Sequence, residues 1–122
     1  MTPYNGPMAL PPEVCIRGAG IVGRTLALLL AGARVRVALV APAVDAAAKA
    51  REDIRAYALN AASHRLLESL RAWPDAHHAT AVREMMVHGD DGGSVHFSAP
   101  HQKVDALAWI VDVPALEQRL AD

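Results

Sequence analysis

The chain has a single cysteine, Cys15, so it can form no intrachain disulfide and carries no cysteine zinc site. That usage fits a reducing compartment, and a cytoplasmic location is expected. Neither sign of charge dominates: Lys and Arg number 12, Asp and Glu 13, and the formal net charge is −1. Without a basic stripe, nucleic acid is a poor expectation for a partner. Long apolar runs are missing too. The longest strongly apolar run, Leu26 to Ala31, falls far short of the ~20 residues of a membrane-spanning helix, although a peripheral membrane contact stays open. Met1 to Pro12 holds four of the eight prolines and lacks a basic segment followed by an apolar one. It reads as a flexible Pro-rich tail (residues 1–12), not a signal peptide. The remainder, 13–122, is expected to form one domain, since 52% apolar residues argue against disorder and 122 residues allow a modest core.

What is present begins with Gly18-Ala19-Gly20-Ile21-Val22-Gly23, a G-x-G-x-x-G run. It follows the apolar Val14-Cys15-Ile16 and opens a helix-like run from Thr25 to Ala31. Strand, glycine turn and helix in that order form the phosphate-cradling corner of a dinucleotide-binding fold. The first glycine permits the tight turn. The next lets a pyrophosphate approach the backbone, and the third lets helix and strand pack closely. Unpaired N–H groups at the helix start then face the anion.

Along the chain, Glu13 to Arg17 reads as a strand and Ile21 to Ala31 as a helix, with Gly32 placed for a C-terminal cap. Arg34 to Val40 reads as a second, buried parallel strand. Ala41 to Ala50 is a loop or poor helix, and Asp53 to Asn60 is extended or irregular. A second helix is expected from Ala61 to Trp73, with Leu66, Leu67 and Leu70 on one face and Pro74 as its stop. Val82 to His88 and Ser94 to Ser98 flank Gly89-Asp90-Asp91-Gly92-Gly93, the signature of a hairpin. Leu107 to Val111 reads as a strand, and Asp112 as the N-cap of a helix carrying Pro114, Leu116 and Leu120. The expected fold is α/β: a partial Rossmann-like βαβ domain with a β-hairpin appendage.

Four segments, in order, resemble the N-terminal part of the p-hydroxybenzoate hydroxylase-like flavoprotein monooxygenases, most nearly the ubiquinone-biosynthesis hydroxylases. They are Val14 to Ala27; Asp53-Ile54-Arg55-Ala56-Tyr57-Ala58-Leu59-Asn60 with Ser63; the hairpin from Val82 to Ser98; and Ala108-Trp109-Ile110-Val111-Asp112 with Leu116 and Leu120. The stretch from Asp53 to Asn60 is similar to the family's D-x-R-x-x-A-L segment and is the more specific part. The resemblance implies FAD as cofactor, NAD(P)H as reductant, O₂ as oxidant, and a small aromatic or quinone-precursor substrate. It implies cofactor contacts at Gly18, Ala19, Gly20, Ile21, Val22, Gly23 and Arg55, and no catalytic side chain is assigned. Arg55 offers a fixed cation and a donor fork suited to pyrophosphate or to the ribityl and flavin oxygens.

The sequence departs from that family in four ways. Val40 is followed by Ala41 and Pro42 where an acid usually holds the adenosine ribose, and the nearest acid is Asp45. Arg17 precedes the first glycine in place of an apolar residue, and Val113 replaces a polar, flavin-contacting one. The family's chains are also several-fold longer, with further cofactor segments and most of the substrate chamber beyond position 122. The expectation is a piece of a longer protein, a split or decayed gene product, or a subunit completed by another chain. The alternative function is a non-catalytic Rossmann-like domain that associates with itself or with a partner covering the cut sheet. An NAD-dependent dehydrogenase half-domain is disfavoured by the D-x-R segment and by Ala41.

Other residues read more plainly. His88 and His96 could face each other across the hairpin, but no third ligand is spaced for a metal. Asp53 reads as a local turn or cap residue, Cys15 as a buried small hydrophobe, and Trp73 and Trp109 as core or interface anchors.

Overall fold

The computed structural model describes residues 10–42 and 52–122. Asp45, most of the expected 41–50 loop and most of the expected tail lie outside them. The chain divides into two compact units, one built, among the described residues, from 10–42, 52 and 120–122 and the other from 53–119. The described residues form a mixed α/β structure with three helices and three separate sheets.

In the first unit, β1 (Val14–Arg17) pairs in parallel with β2 (Val37–Val40), from Val14 opposite Val37 to Arg17 opposite Val40. Helix α1 (Ile21–Gly32) connects them, as a parallel pair requires. Ile16 is buried, whereas Cys15 and Arg17 are exposed. Cys15 is therefore not the buried hydrophobe expected, because alternation along β1 turns it to the side opposite Ile16. Nor is β2 fully buried: Val40 is 49% exposed. Two strands and one helix leave too little cover for both faces.

Gly32 does not supply the left-handed cap. Arg34 does, with φ +64°. Its N–H donates to the Ala31 carbonyl at 2.9 Å and the Val35 N–H to the Leu30 carbonyl at 3.0 Å, the paired bonds of a Schellman ending. The second unit repeats the device. Helix α2 (Ala61–Ser69) stops short of the expected Trp73, because Arg71 takes φ +56° and the Ala72 N–H donates to the Leu67 carbonyl at 2.9 Å. Pro74 lies beyond the true end. On α2, Leu67 is buried and Leu66 exposed, so the three leucines do not share one buried face. At its start, the Asn60 side chain accepts from the Ser63 N–H at 2.9 Å, an N-cap.

The second unit is built around β7 (Ala108–Asp112), which lies between β3 (Ala56–Leu59) and β4 (Ala79–Val82), antiparallel to both. Val111 is buried on β7, and Val113 and Leu116 on α3 (Val113–Ala121), each at most 1% exposed. Leu67, Ala72, Ala99 and Ala106 are also buried. A separate hairpin joins β5 (Glu84–His88) to β6 (Ser94–Ser98), with Gly92 at φ +83° in its turn. Its register sets Met86 opposite His96 and His88 opposite Ser94, so the two histidines are not directly paired. Met85, Val87, Val95 and Phe97 share one exposed face.

Candidate functional site

The glycine turn lies in the first unit. Gly18 takes φ +114°, a conformation that L side chains rarely adopt. Its N–H donates to the Val40 carbonyl at 2.7 Å, which ties the turn to the end of β2. A β-carbon at Gly23 would collide with the Gly18 carbonyl, so this glycine serves the close approach of helix and strand. A β-carbon at Gly20 would meet nothing within 4 Å, and the space it leaves lies at the N-cap of α1. The first N–H of the helix to reach a carbonyl of the turn is that of Arg24, at 3.0 Å from Gly20 O. The N–H groups of Ile21, Val22 and Gly23 precede it and have no intrahelical acceptor by geometry. Arg24 folds back so that its Nε donates to the Ala19 carbonyl at 2.8 Å. This places a cation beside the turn. Sequence reasoning missed Arg24, since no spacing rule separates such a contact from a solvated helix arginine.

Arg55 lies in the second unit. Its backbone carbonyl accepts from the Val113 N–H at 3.0 Å, so the start of α3 holds the Arg55 main chain. Its guanidinium meets Asp53 side-on, Nε to Oδ1 at 3.0 Å and Nη2 to Oδ2 at 2.7 Å, and Nη2 is 3.5 Å from Glu117. The Arg55 backbone N–H also donates to Asp53 Oδ1, at 3.1 Å. Those bonds, the side-chain ones first, hold the Asp53 carboxyl down to about 2. Hydrogen bonding and charge from Asp53 raise the Arg55 guanidinium above its ordinary value. Asp53 is thus the partner of Arg55 as well as a turn former.

An open cleft of about 550 Å³ is lined by Asp53, Ile54, Arg55, His78, Asp112 and Pro114, among others. His78 Nδ1 lies 2.9 Å from Asp112 Oδ2, and the Asp112 N–H donates to the His78 carbonyl at 3.0 Å. Asp112 stands directly before α3, and its carboxylate orients an imidazole. No sequence signal joins these two residues, which antiparallel pairing of β4 with β7 brings together. Val113 is 1% exposed, so its apolar side chain belongs to the core and offers no polar contact to a ligand.

Another cavity, about 400 Å³, lies beside α2 and includes His64, Glu68, Lys103 and Trp109. The His64 ring sits 4.1 Å from Trp73 and 4.3 Å from Trp109, centroid to centroid. Its Nε2 is 3.0 Å from Glu68. The tryptophans are thus anchors of a local ring cluster. Among the described residues, no group of three or more His, Cys, Asp or Glu could hold a metal ion. No helix among them is long and apolar enough to cross a membrane.

No family model matches the sequence. The chain is similar to a hydroxylase. Over 114 residues it is 32% identical to the 3-demethoxyubiquinol 3-hydroxylase of Escherichia coli (strain K12), covering 90% of this chain. It spans 29% of that relative's length. Among solved structures, the fold matches part of the peptidyl tryptophan dihydroxylase QhpG, essential for tryptophylquinone cofactor biogenesis. That match has a TM-score of 0.59 and 17% identity, over 93% of this chain and 23% of the other. The resemblance read from the sequence is therefore matched at the level of a hydroxylase-like chain. Gly18 to Gly23 belong to one unit and Arg55 to the other.

Proposed function

We propose that this chain forms the FAD-binding portion of a flavin-dependent aromatic-ring hydroxylase of the ubiquinone-biosynthesis type, with a Rossmann-like βαβ corner. The glycine turn carries this reading: a left-handed Gly18, an open Gly20 and a packing-limited Gly23 make a turn of the kind that cradles a pyrophosphate. The 32% identity to a 3-demethoxyubiquinol 3-hydroxylase supports the same direction.

In this reading the first-turn amides of Ile21, Val22 and Gly23 hold the pyrophosphate, with Gly18, Ala19 and Gly20 as the turn and Arg24 as a nearby cation. The resemblance also implies Arg55, in the second unit, as a cofactor contact. Bound FAD, with NAD(P)H as reductant, would supply the oxygen-transfer chemistry, one atom of O₂ going to the ring carbon of a small aromatic or quinone precursor and the other to water. This chain's own residues bind and orient. In this reading the location is cytoplasmic, with room for a peripheral membrane contact.

Titration with FAD tests the reading. Purified protein that is yellow, or that quenches flavin fluorescence saturably, supports it. A colourless protein that takes up no FAD would sink it for this chain.

One observation favours a different reading, association with another copy or a partner chain. Helix α1 has no buried residue, and Val22 is 81% exposed and Leu26 43%. Light scattering after size exclusion should then give a dimer or larger, and a monomer at all concentrations counts against it.

A further inference from the structure

We propose that the outer edge of β5 pairs with β5 of a second copy of this chain, antiparallel about a two-fold axis at Met86, so that two hairpins join into one four-stranded sheet. The inference rests on the association reading above and deepens it. It names the partner as a second copy and the surface as β5, in the second unit, in place of α1. It does not depend on the FAD reading.

The hairpin's own hydrogen bonds show which groups point outward. The Gly89 N–H donates to the Gly93 carbonyl and the Ala99 N–H to the Arg83 carbonyl, both at 2.7 Å, so Arg83 and Gly89 turn their backbone groups toward β6. Successive residues alternate. Met85 and Val87 therefore also point inward, and the N–H and C=O groups of Glu84, Met86 and His88 point out. They meet no backbone partner among the described residues. The edge of β6 differs, because its outward Ser98 carbonyl already accepts from the Gln102 N–H at 3.1 Å. One open edge and one engaged edge favour a closed pair over an open chain of copies.

Nothing in β5 blunts this edge. Glu84-Met85-Met86-Val87-His88 contains no Lys, Pro or Gly, and its pairing with β6 runs without a bulge. A two-stranded hairpin is marginal by itself, whereas more strands sharing an apolar face are stable.

Charge selects the partner and the register. With the axis at Met86, Glu84 lies opposite the second copy's His88, and His88 opposite its Glu84. The three outward residues of each strand would then exchange about six N–H···O bonds. An imidazole N–H donates to a carboxylate, and the bond is charge-assisted where His88 is protonated. Neither residue has an ion pair among the described residues. Parallel in-register pairing would instead oppose Glu84 to Glu84, and two β6 edges centred on His96 would oppose His96 to His96, like against like. On the other face, Met85 comes opposite the second copy's Val87, which joins the two exposed patches of Met85, Val87, Val95 and Phe97.

Sedimentation velocity of the full chain over a concentration series, without FAD, tests the pairing. Wild type should show monomer and dimer and nothing larger. Met86→Lys sets two ammonium groups opposite each other at the axis and should raise the dimer Kd at least about tenfold. His88→Glu should do the same by opposing carboxylates. Adding Glu84→His to His88→Glu re-forms the pair in reverse and should return the Kd to within about threefold of wild type, a rescue that a merely structural role would not give. His96→Lys, on the edge of β6, should change the Kd by less than about twofold. Far-UV circular dichroism shows that each variant is folded.

A monomer at every concentration overturns this inference and counts against the association reading. A dimer that persists in Met86→Lys and is lost in Val22→Asp overturns the inference and leaves the association reading standing on α1. Growth past the dimer, or a His88→Glu defect that Glu84→His does not repair, also overturns it.

Discussion

Gly23 sits so close beneath the carbonyl of Gly18 that a β-carbon at Gly23 would overlap it. Gly23→Ala must push strand and helix apart and should cost about 1–3 kcal/mol of stability, as overpacking does. Gly20, in ordinary extended backbone with nothing within 4 Å of a built β-carbon, behaves oppositely. Gly20→Ala should leave stability within about 0.5 kcal/mol yet weaken FAD at least about tenfold, since 1.4 kcal/mol is a factor of ten. Urea unfolding and flavin titration of the two variants separate a packing glycine from an access glycine.

Val113 and Leu116 are at most 1% exposed, on the first turn of α3. Leu116→Ala should cost about 2–5 kcal/mol by the cavity it leaves. Val113→Asn, which would bring the position nearer to the family's polar residue, should cost on the order of 1–3 kcal/mol by placing an amide in the core. It should give no gain in flavin affinity. Thermal unfolding and the same titration measure both.

Arg34 and Arg71 end their helices with φ near +60°, at +64° and +56°. A side chain there costs about 1–2 kcal/mol in the left-handed region, and glycine removes most of that while loosening the unfolded chain. Arg71→Gly should therefore raise stability by about 0.5–1 kcal/mol, read as a higher urea midpoint. An unchanged or lower midpoint would show that the Arg71 side chain contributes more than its backbone costs.

Asp53 is held at about 2 against an ordinary 3.8 by its hydrogen bonds from Arg55. A depressed carboxyl contributes stability that is complete above the unfolded value and fades as pH falls through the folded one. The Asp53–Arg55 pair should thus be intact and pH-independent from about 5 to 8 and fail between about 4 and 2. NMR titration of the Asp53 carboxyl carbon should show a midpoint near 2. A midpoint near 4 would mean that the pair does not persist in solution. Because both groups face water, high salt should weaken it.

Much of this is legible in the sequence. The glycine spacing foretold the turn between β1 and α1 because φ/ψ space and backbone approach act on single residues in order. The hairpin was legible for the same reason, since Gly89 to Gly93 encodes a local reversal between two strand-like runs. Helix ends are less legible. Gly32 and Pro74 carry the usual stop signals, but arginines two to three residues away do the stopping, because the hydrogen bonds of a Schellman ending outweigh a left-handed side chain.

By itself, the sequence determined the βαβ order, the glycine turn and the likeness to a hydroxylase, all of which rest on residues near one another in the chain. The tertiary structure alone decided what the charged groups do. It set Asp53 and Glu117 on Arg55, joined His78 to Asp112, turned Cys15 outward and buried Val113. Except for the Asp53–Arg55 contact, these outcomes depend on strand pairing and packing between residues far apart in sequence.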